Sequence, residues 1–264
     1  MSYKSLDSEI KSILTEELPT KEINPKEFPN PMTDAMRKIF TQKGHMDGNE
    51  KDDIVKTRPA TWKARKLNAS QDAVYLGKAL GMAIGGVKGG DLGAIVSQDR
   101  RILDGHHRWA ATILNDPEAS ITGIEAKLKI GDLVPVLRAL GDVLGNERRG
   151  EPKGGDINFF KASVKDAVDA IKTGKNMDSK YYNKNKAIEW LDSIGGEEVL
   201  RERMAIINRS TPPKGAPPRK GMPVIDADQN QHKVAATMLK KGDLDVRAPY
   251  AKVKEMYKSK AKWR

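Results

Sequence analysis

The sequence predicts an α+β protein, a mixed α/β domain at residues 58–145 followed by a mostly helical region at 156–208. Three observations carry the expectation. Short β-type runs, GAIVS at 93–97 and ILDG at 102–105, are flanked by amphipathic stretches of helical period. The second half shows apolar stripes at helical spacing with little alternation. The length, 264 residues at 38% hydrophobic content, suits one large domain or two small ones.

Residues 1–57 read as an extended acidic arm. Pro19, Pro25, Pro29 and Pro31 interrupt short helical pieces, and GHMDGNEKDD at 44–53 offers almost nothing apolar to bury. A first helix is expected from Asn68 or Ser70, either able to cap it, through Ala73, Leu76, Leu80 and Ala83/Ile84 until Gly85-Gly86 stops it. A strand at 93–97, a polar turn at Gln98–Arg101 and a strand at 102–105 come next. HHRWAATILN then opens a second helix with Trp109, Ala110, Ile113 and Leu114 on one face, ended by Asp116-Pro117. Residues 124–130 alternate, with Ile124, Ala126, Leu128 and Ile130 against Glu125, Lys127 and Lys129, which predicts a half-buried strand. Asp132 caps a further helix with Leu133, Val136/Leu137, Leu140 and Val143/Leu144 inward.

Beyond the hinge GNERRGEPKGGD at 145–156, Phe160, Val164, Ala167/Val168 and Ile171 form one helical stripe. Ile188/Leu191/Ile194 and Leu200/Met204/Ile207 form two more, the usual signature of core. Tyr181-Tyr182 beside Lys180 and Lys184 suits either helix-start packing or the stacking of bases between cations. RSTPPKGAPPRKG at 209–221, with four prolines and four basic residues, reads as a semi-rigid linker opening a basic C-terminal region, 209–264. Two segments echo each other: His107–Leu114 and His232–Leu239 share H-[RK]-x-A-A-T-[IM]-L, as a worn duplication or two alanine-rich helices alike by chance would.

The formal net charge is +11, and its placement is uneven. Residues 1–34 carry four Lys against seven acids, whereas 209–264 carry fourteen basic residues against five acids. A tail of that kind attracts phosphate backbones by counterion release, and Arg219, Lys220, Lys240 and Lys241 are its candidate nucleic-acid contacts. With no Cys, a disulfide scaffold and a Cys-ligated metal are excluded, leaving four His and the carboxylates as metal ligands. No apolar run approaches a membrane span and the N-terminus lacks a signal-peptide pattern, so a cytoplasmic protein without membrane partners is expected. There is no P-loop and no H-E-x-x-H.

The chemistry concentrates in IVSQDRRILDGHHRWAA, residues 95–111. A strand ending in Asp104-Gly105 and opening directly into a helix gathers free backbone N–H groups and the positive dipole end at one point, where an anion binds. His106, His107 and Arg108 place three candidate cations against that dipole, an arrangement an anion such as phosphate would compensate. Arg108 can chelate two phosphate oxygens, and either His can donate a hydrogen bond or move a proton near neutral pH. Asp104 and Asp99 are the nearby carboxylates, suited to hold Mg²⁺ or act as a base. The bland alternative has Asp104 as a cap, solvated histidines and Arg108 paired with a surface acid. Two adjacent His do not readily face one metal from a helical turn, which disfavours zinc.

Helix, strand, strand, Gly-x-x-Arg at a helix start and strand, over about 58–135, resemble the ParB/sulfiredoxin superfamily. Gly105-His106-His107-Arg108 falls on the Gly-Cys-His-Arg loop of sulfiredoxins and the Gly-Glu-Arg-Arg box of ParB proteins. Asp104 to Arg108 is most similar to the Asp-Gly-His-His-Arg of ADP-dependent free serine kinases in that superfamily. The resemblance implies a nucleotide, ATP/ADP or CTP, with Mg²⁺, its phosphates held by Gly105, His106, His107 and Arg108, with Asp104, His106 and His107 as the catalytic set. The departures are specific. His106 replaces the sulfiredoxin thiol, which excludes sulfinic acid repair; no ParB-type helix-turn-helix follows; and RPATWKARKL at 58–67 has no acid for the kinases' catalytic Glu.

The expected activity is therefore Mg²⁺-dependent phosphoryl transfer or phosphodiester cleavage by a nucleic-acid-associated protein. The alternatives are a free amino-acid kinase and a non-catalytic, phage-type DNA-binding or structural protein. A phage origin would place it in the host cytoplasm, and oligomerisation is compatible with either role.

Overall fold

The chain carries a mixed α/β fold with helices packed on a mixed sheet. Its computed structural model describes residues 54–134, 137, 157–177, 182–210, 212, 222 and, in backbone, 243–245. The chain divides into two compact units, one of 59–125 with 150–222 and the other of 1–58, 126–149 and 223–264.

The first unit holds most of the described elements. Strand β1 (Ile54–Lys63) enters it and ends in a 3-10 turn, Ala64–Lys66, followed by the two-residue strand β2 (Asn68–Ala69). Helix α1 (Leu76–Ile84), strands β3 (Gly90–Ser97) and β4 (Arg101–Asp104), helix α2 (His106–Asn115) and strand β5 (Ser120–Ala126) complete the α/β part. The strands lie in the order β2-β4-β3-β5-β1. β2 runs parallel to β4, with Asn68 opposite Arg101, and β3 runs antiparallel to β4, with Ile95 opposite Asp104. Beyond residue 157 come α3 (Val164–Thr173), α4 (Lys184–Ser193) and α5 (Gly196–Arg209).

These later helices pack into the same apolar cluster as α1 and α2. Leu80, Trp109 and Ile121 share it with Phe159, Ile171 and Leu200, all essentially without exposure. Fully burying a side chain of this size is worth about 1.5–3 kcal/mol, so the cluster rather than helix propensity holds the short elements. Polar hinges fix the seams. Asn115 donates to the carbonyls of Ala83 and Val87 and accepts from the Trp190 indole at 2.6 Å, and Arg203 donates to the Leu114 carbonyl at the end of α2.

In the other unit, the start of β1 pairs antiparallel with β6 (Asp243–Asp245), Ile54 opposite Asp245. Lys127 N–H donates to the Lys56 carbonyl at 2.8 Å, and residues 130–134 are helical, with Leu133 and Val134 buried. Among the described residues, no helix is long and apolar enough to cross a membrane.

Several boundaries differ from expectation. The first helix begins at Leu76, because Asn68-Ala69 is drawn into the sheet and the Ser70 hydroxyl donates to the Ile102 carbonyl instead of capping. The strand expected at 124–130 lies at 120–126, with Ile121 in the core and Gly123 so close to the Ala94 backbone that a side chain there would collide. The following turn starts early, with Lys129 O accepting from Leu133 N, so helix replaces strand at Ile130. Residues 54–57 belong to β1 rather than to an arm, with Val55 and Thr57 buried between exposed Lys56 and Arg58. Ile188 is 38% exposed, and α4 instead buries Ala187, Trp190 and Leu191.

Candidate functional site

The segment singled out in the sequence forms a strand, a one-residue corner and a helix. β4 ends at Asp104, Gly105 takes the left-handed conformation (φ 97°), and α2 begins at His106. That φ is open to glycine at little cost, and a methyl group at Gly105 would stand 3.7 Å from Ala94. The carbonyl of Gly105 accepts from Trp109 N at 2.8 Å, and the Trp109 indole is anchored on the Ala64 carbonyl. The first turn of α2 is thus pinned by a buried aromatic.

Arg108 lies over two glycines. Its Nη1 is 3.8 Å from where a Cβ on Gly93 would stand, and its Nη2 is 3.8 Å from the same point on Gly105. Its ion pair with Asp104 is long, 3.4 Å, and both side chains are partly exposed, 37% and 29%. Well-formed charge-assisted bonds run at about 2.7–2.9 Å, and exposed pairs of this kind are worth roughly 0.2–1 kcal/mol.

The two histidines turn inward to the segment that precedes α1. His106 is 4% exposed; its Nε2 accepts from Ser70 N at 3.2 Å and lies 3.3 Å from Ser70 Oγ. His107 Nε2 accepts from Tyr75 N at 3.1 Å, and its ring sits 5.6 Å from the Tyr75 ring. A nitrogen that accepts from a backbone N–H carries no hydrogen itself. The crowding of three cations at the dipole therefore reduces to Arg108 alone, which Asp104 partly offsets.

Asp99 and Asp104 do not form a shared metal pair. Asp99 sits in the tight turn before β4, where Ser97 Oγ donates to it at 2.5 Å and Arg101 Nε lies 4.0 Å away. Asp104 closes the other end of that strand. At about 3.3 Å per residue, the three steps of β4 alone separate the two by about 10 Å, whereas Mg²⁺ binds oxygen at about 2.1 Å. Among the described residues, no group of three His, Cys, Asp or Glu side chains is gathered to hold a metal ion. A groove of about 510 Å³ lies elsewhere, lined by Ser163, Val164, Lys165, Val168, Glu197 and Arg201, and contains none of the predicted site residues.

Arg219, Lys220, Lys240, Lys241, Tyr181 and the 232–239 echo lie outside the described residues. Tyr182 packs, its hydroxyl donating to the Ile171 carbonyl at 3.1 Å. Sequence reasoning missed Gly93 as the floor under Arg108, although GGDLG marks it, and took Ser70 for a helix cap. It had no signal for Tyr75, whose contribution is a backbone N–H.

No family model, no curated protein and no solved structure matches the chain.

Proposed function

We propose that the chain is a ParB/sulfiredoxin-like protein that binds a phosphate group of a nucleotide or of DNA at Gly105–Arg108. The observation that supports this reading is the Arg108 guanidinium, spread over Gly93 and Gly105 at the start of α2 and, among the described residues, held by a long ion pair to Asp104. The helix terminus favours negative charge, and the guanidinium supplies two parallel donors. Asp104 is the carboxylate that would meet Mg²⁺ carried in on a nucleotide.

The binding reading is favoured over phosphoryl transfer or phosphodiester cleavage by one feature: both imidazole Nε2 atoms are committed to backbone N–H donors. Free amino-acid kinase activity has less support, because β1 offers no acid between residues 58 and 63. The basic region 209–264 would add sequence-independent attraction to nucleic acid, and a cytoplasmic setting goes with this reading.

Calorimetric titration with ATP, ADP, CTP and a short DNA duplex, each with Mg²⁺, tests it. Arg108→Ala should weaken the binding partner at least about tenfold, the worth of a charged hydrogen bond. Equal affinity in the parent and Arg108→Ala proteins, or no binding of any of the four, overturns the proposal. Turnover of a bound nucleotide or cleavage of the duplex would restore the catalytic alternative.

A further inference from the structure

Residues 70–75, between β2 and α1, are gripped from two sides. From α2, His106 and His107 accept the Ser70 and Tyr75 N–H groups. From the other side, Asn158 Nδ2 donates to the Asp72 carbonyl at 2.9 Å, and its Oδ1 accepts from Val74 N at 3.4 Å and Phe160 N at 3.2 Å. Two backbone bonds accompany it, Phe159 N to Val74 O at 2.6 Å and Leu76 N to Ile157 O at 2.9 Å. All of these residues belong to the unit of 59–125 and 150–222.

The geometry assigns Asn158 as a positioning residue for the Gly105–Arg108 loop, acting through segment 70–75 on two imidazoles that serve as hydrogen-bond acceptors. Ser70 is fully buried and Tyr75 is 7% exposed, so each needs an acceptor for its N–H. The imidazoles meet that need only with Nε2 bare and the hydrogen on Nδ1. Where segment 70–75 lies therefore dictates how both rings are turned, and the rings fix the turn from which Arg108 projects. Asn158, 84 residues beyond Val74 in the chain, sets the far wall of that segment. Its effect on binding rests on the phosphate reading above; its effect on the rings does not.

The test combines imidazole ¹⁵N spectra with ATP titration of the full chain, ATP being the probe. In the parent protein at pH 7.5, both rings should show the Nδ1–H tautomer with a bare, hydrogen-bonded Nε2. Asn158→Ala should shift or broaden the Nε2 resonances of His106 and His107 and weaken ATP binding about tenfold, the effect of losing the hydrogen bonds that hold the segment. His107→Gln, whose Oε1 can replace Nε2 as acceptor, should retain more affinity than His107→Leu. An Nε2–H tautomer on either ring of the parent protein overturns the inference, and that reading stands even if a variant fails to fold. Unchanged ring resonances in folded Asn158→Ala also overturn it. If the parent protein shows the expected tautomers and Asn158→Ala shifts them while no ATP binds, the positioning role stands and ATP binding falls.

Discussion

Replacing Gly77 by Ala should destabilise the protein, against the ordinary expectation that Ala improves a helix by about 1 kcal/mol. The added methyl would fall within the van der Waals reach of Asn176 O, 2.8 Å from the Asn176 carbonyl carbon and 3.1 Å from Met177 Cα, where ordinary contact begins at 3.4 Å. Relieving the carbon contact alone requires about 0.6 Å of separation between α1 and the 174–177 turn, the difference of those two distances. That turn yields poorly. Gly174 N is bonded to Ala170 O at 2.8 Å, Met177 N to Gly174 O at 3.1 Å, and Asn176 is itself held at φ 62°. Overpacking costs roughly 1–3 kcal/mol, and an obstacle made of backbone belongs at the upper end. Less the propensity gain, the net loss is about 2 kcal/mol. Urea denaturation of Gly77→Ala should show a lower midpoint at unchanged slope. Gly131→Ala, also helical but with none of the described residues within 4 Å of the new methyl, should be neutral or slightly stabilising. A Gly77→Ala protein as stable as its parent would refute the packing argument.

Two further outcomes follow from side-chain hydrogen bonds, one set joining elements and one capping a helix. Asn115→Ala strands the Ala83 and Val87 carbonyls and the Trp190 indole N–H; at about 1 kcal/mol each it should cost about 3 kcal/mol in thermal unfolding. Asn115→Asp should recover only the indole bond, and full recovery would count against the network. At the start of α3, the Ser163 hydroxyl and then its backbone N–H hold the Asp166 carboxyl below its ordinary value. A depressed carboxylate contributes stability that is present at neutral pH and lost as pH falls through its folded-state value. Ser163→Ala should therefore lower the urea midpoint at pH 7, and the gap to the parent should narrow at pH 3; a constant gap would show the carboxylate to be idle.

Much of the local structure is legible in the chain itself. HHRWAATILN forms the second helix at the predicted residues, because Gly105 opens it, Asp116-Pro117 closes it and the apolar spacing gives it a core face. Ala167, Val168 and Ile171 of one stripe and Leu200, Met204 and Ile207 of another are core, as their helical spacing requires, whereas Phe160 sits ahead of α3 in a 3-10 turn, Phe159–Lys161, half-buried beside the fully buried Phe159. The 120–126 strand was displaced in the sequence reading because alternation continues past the point where Lys129 begins a helical turn, and only pairing with neighbouring strands selects the register.

The candidate site divides the same way. Asp104, Gly105 and Arg108 are evident from a strand, a glycine and a helix in succession, since chain geometry alone brings them together. The partners of His106 and His107 are not, because the N–H groups they accept belong to Ser70 and Tyr75, more than thirty residues earlier. A backbone N–H has no signature in a side-chain alphabet, so sequence alone offered two histidines at a helix start as acids, bases or cations. Tertiary structure decided that they are acceptors, by folding segment 70–75 between them and Asn158.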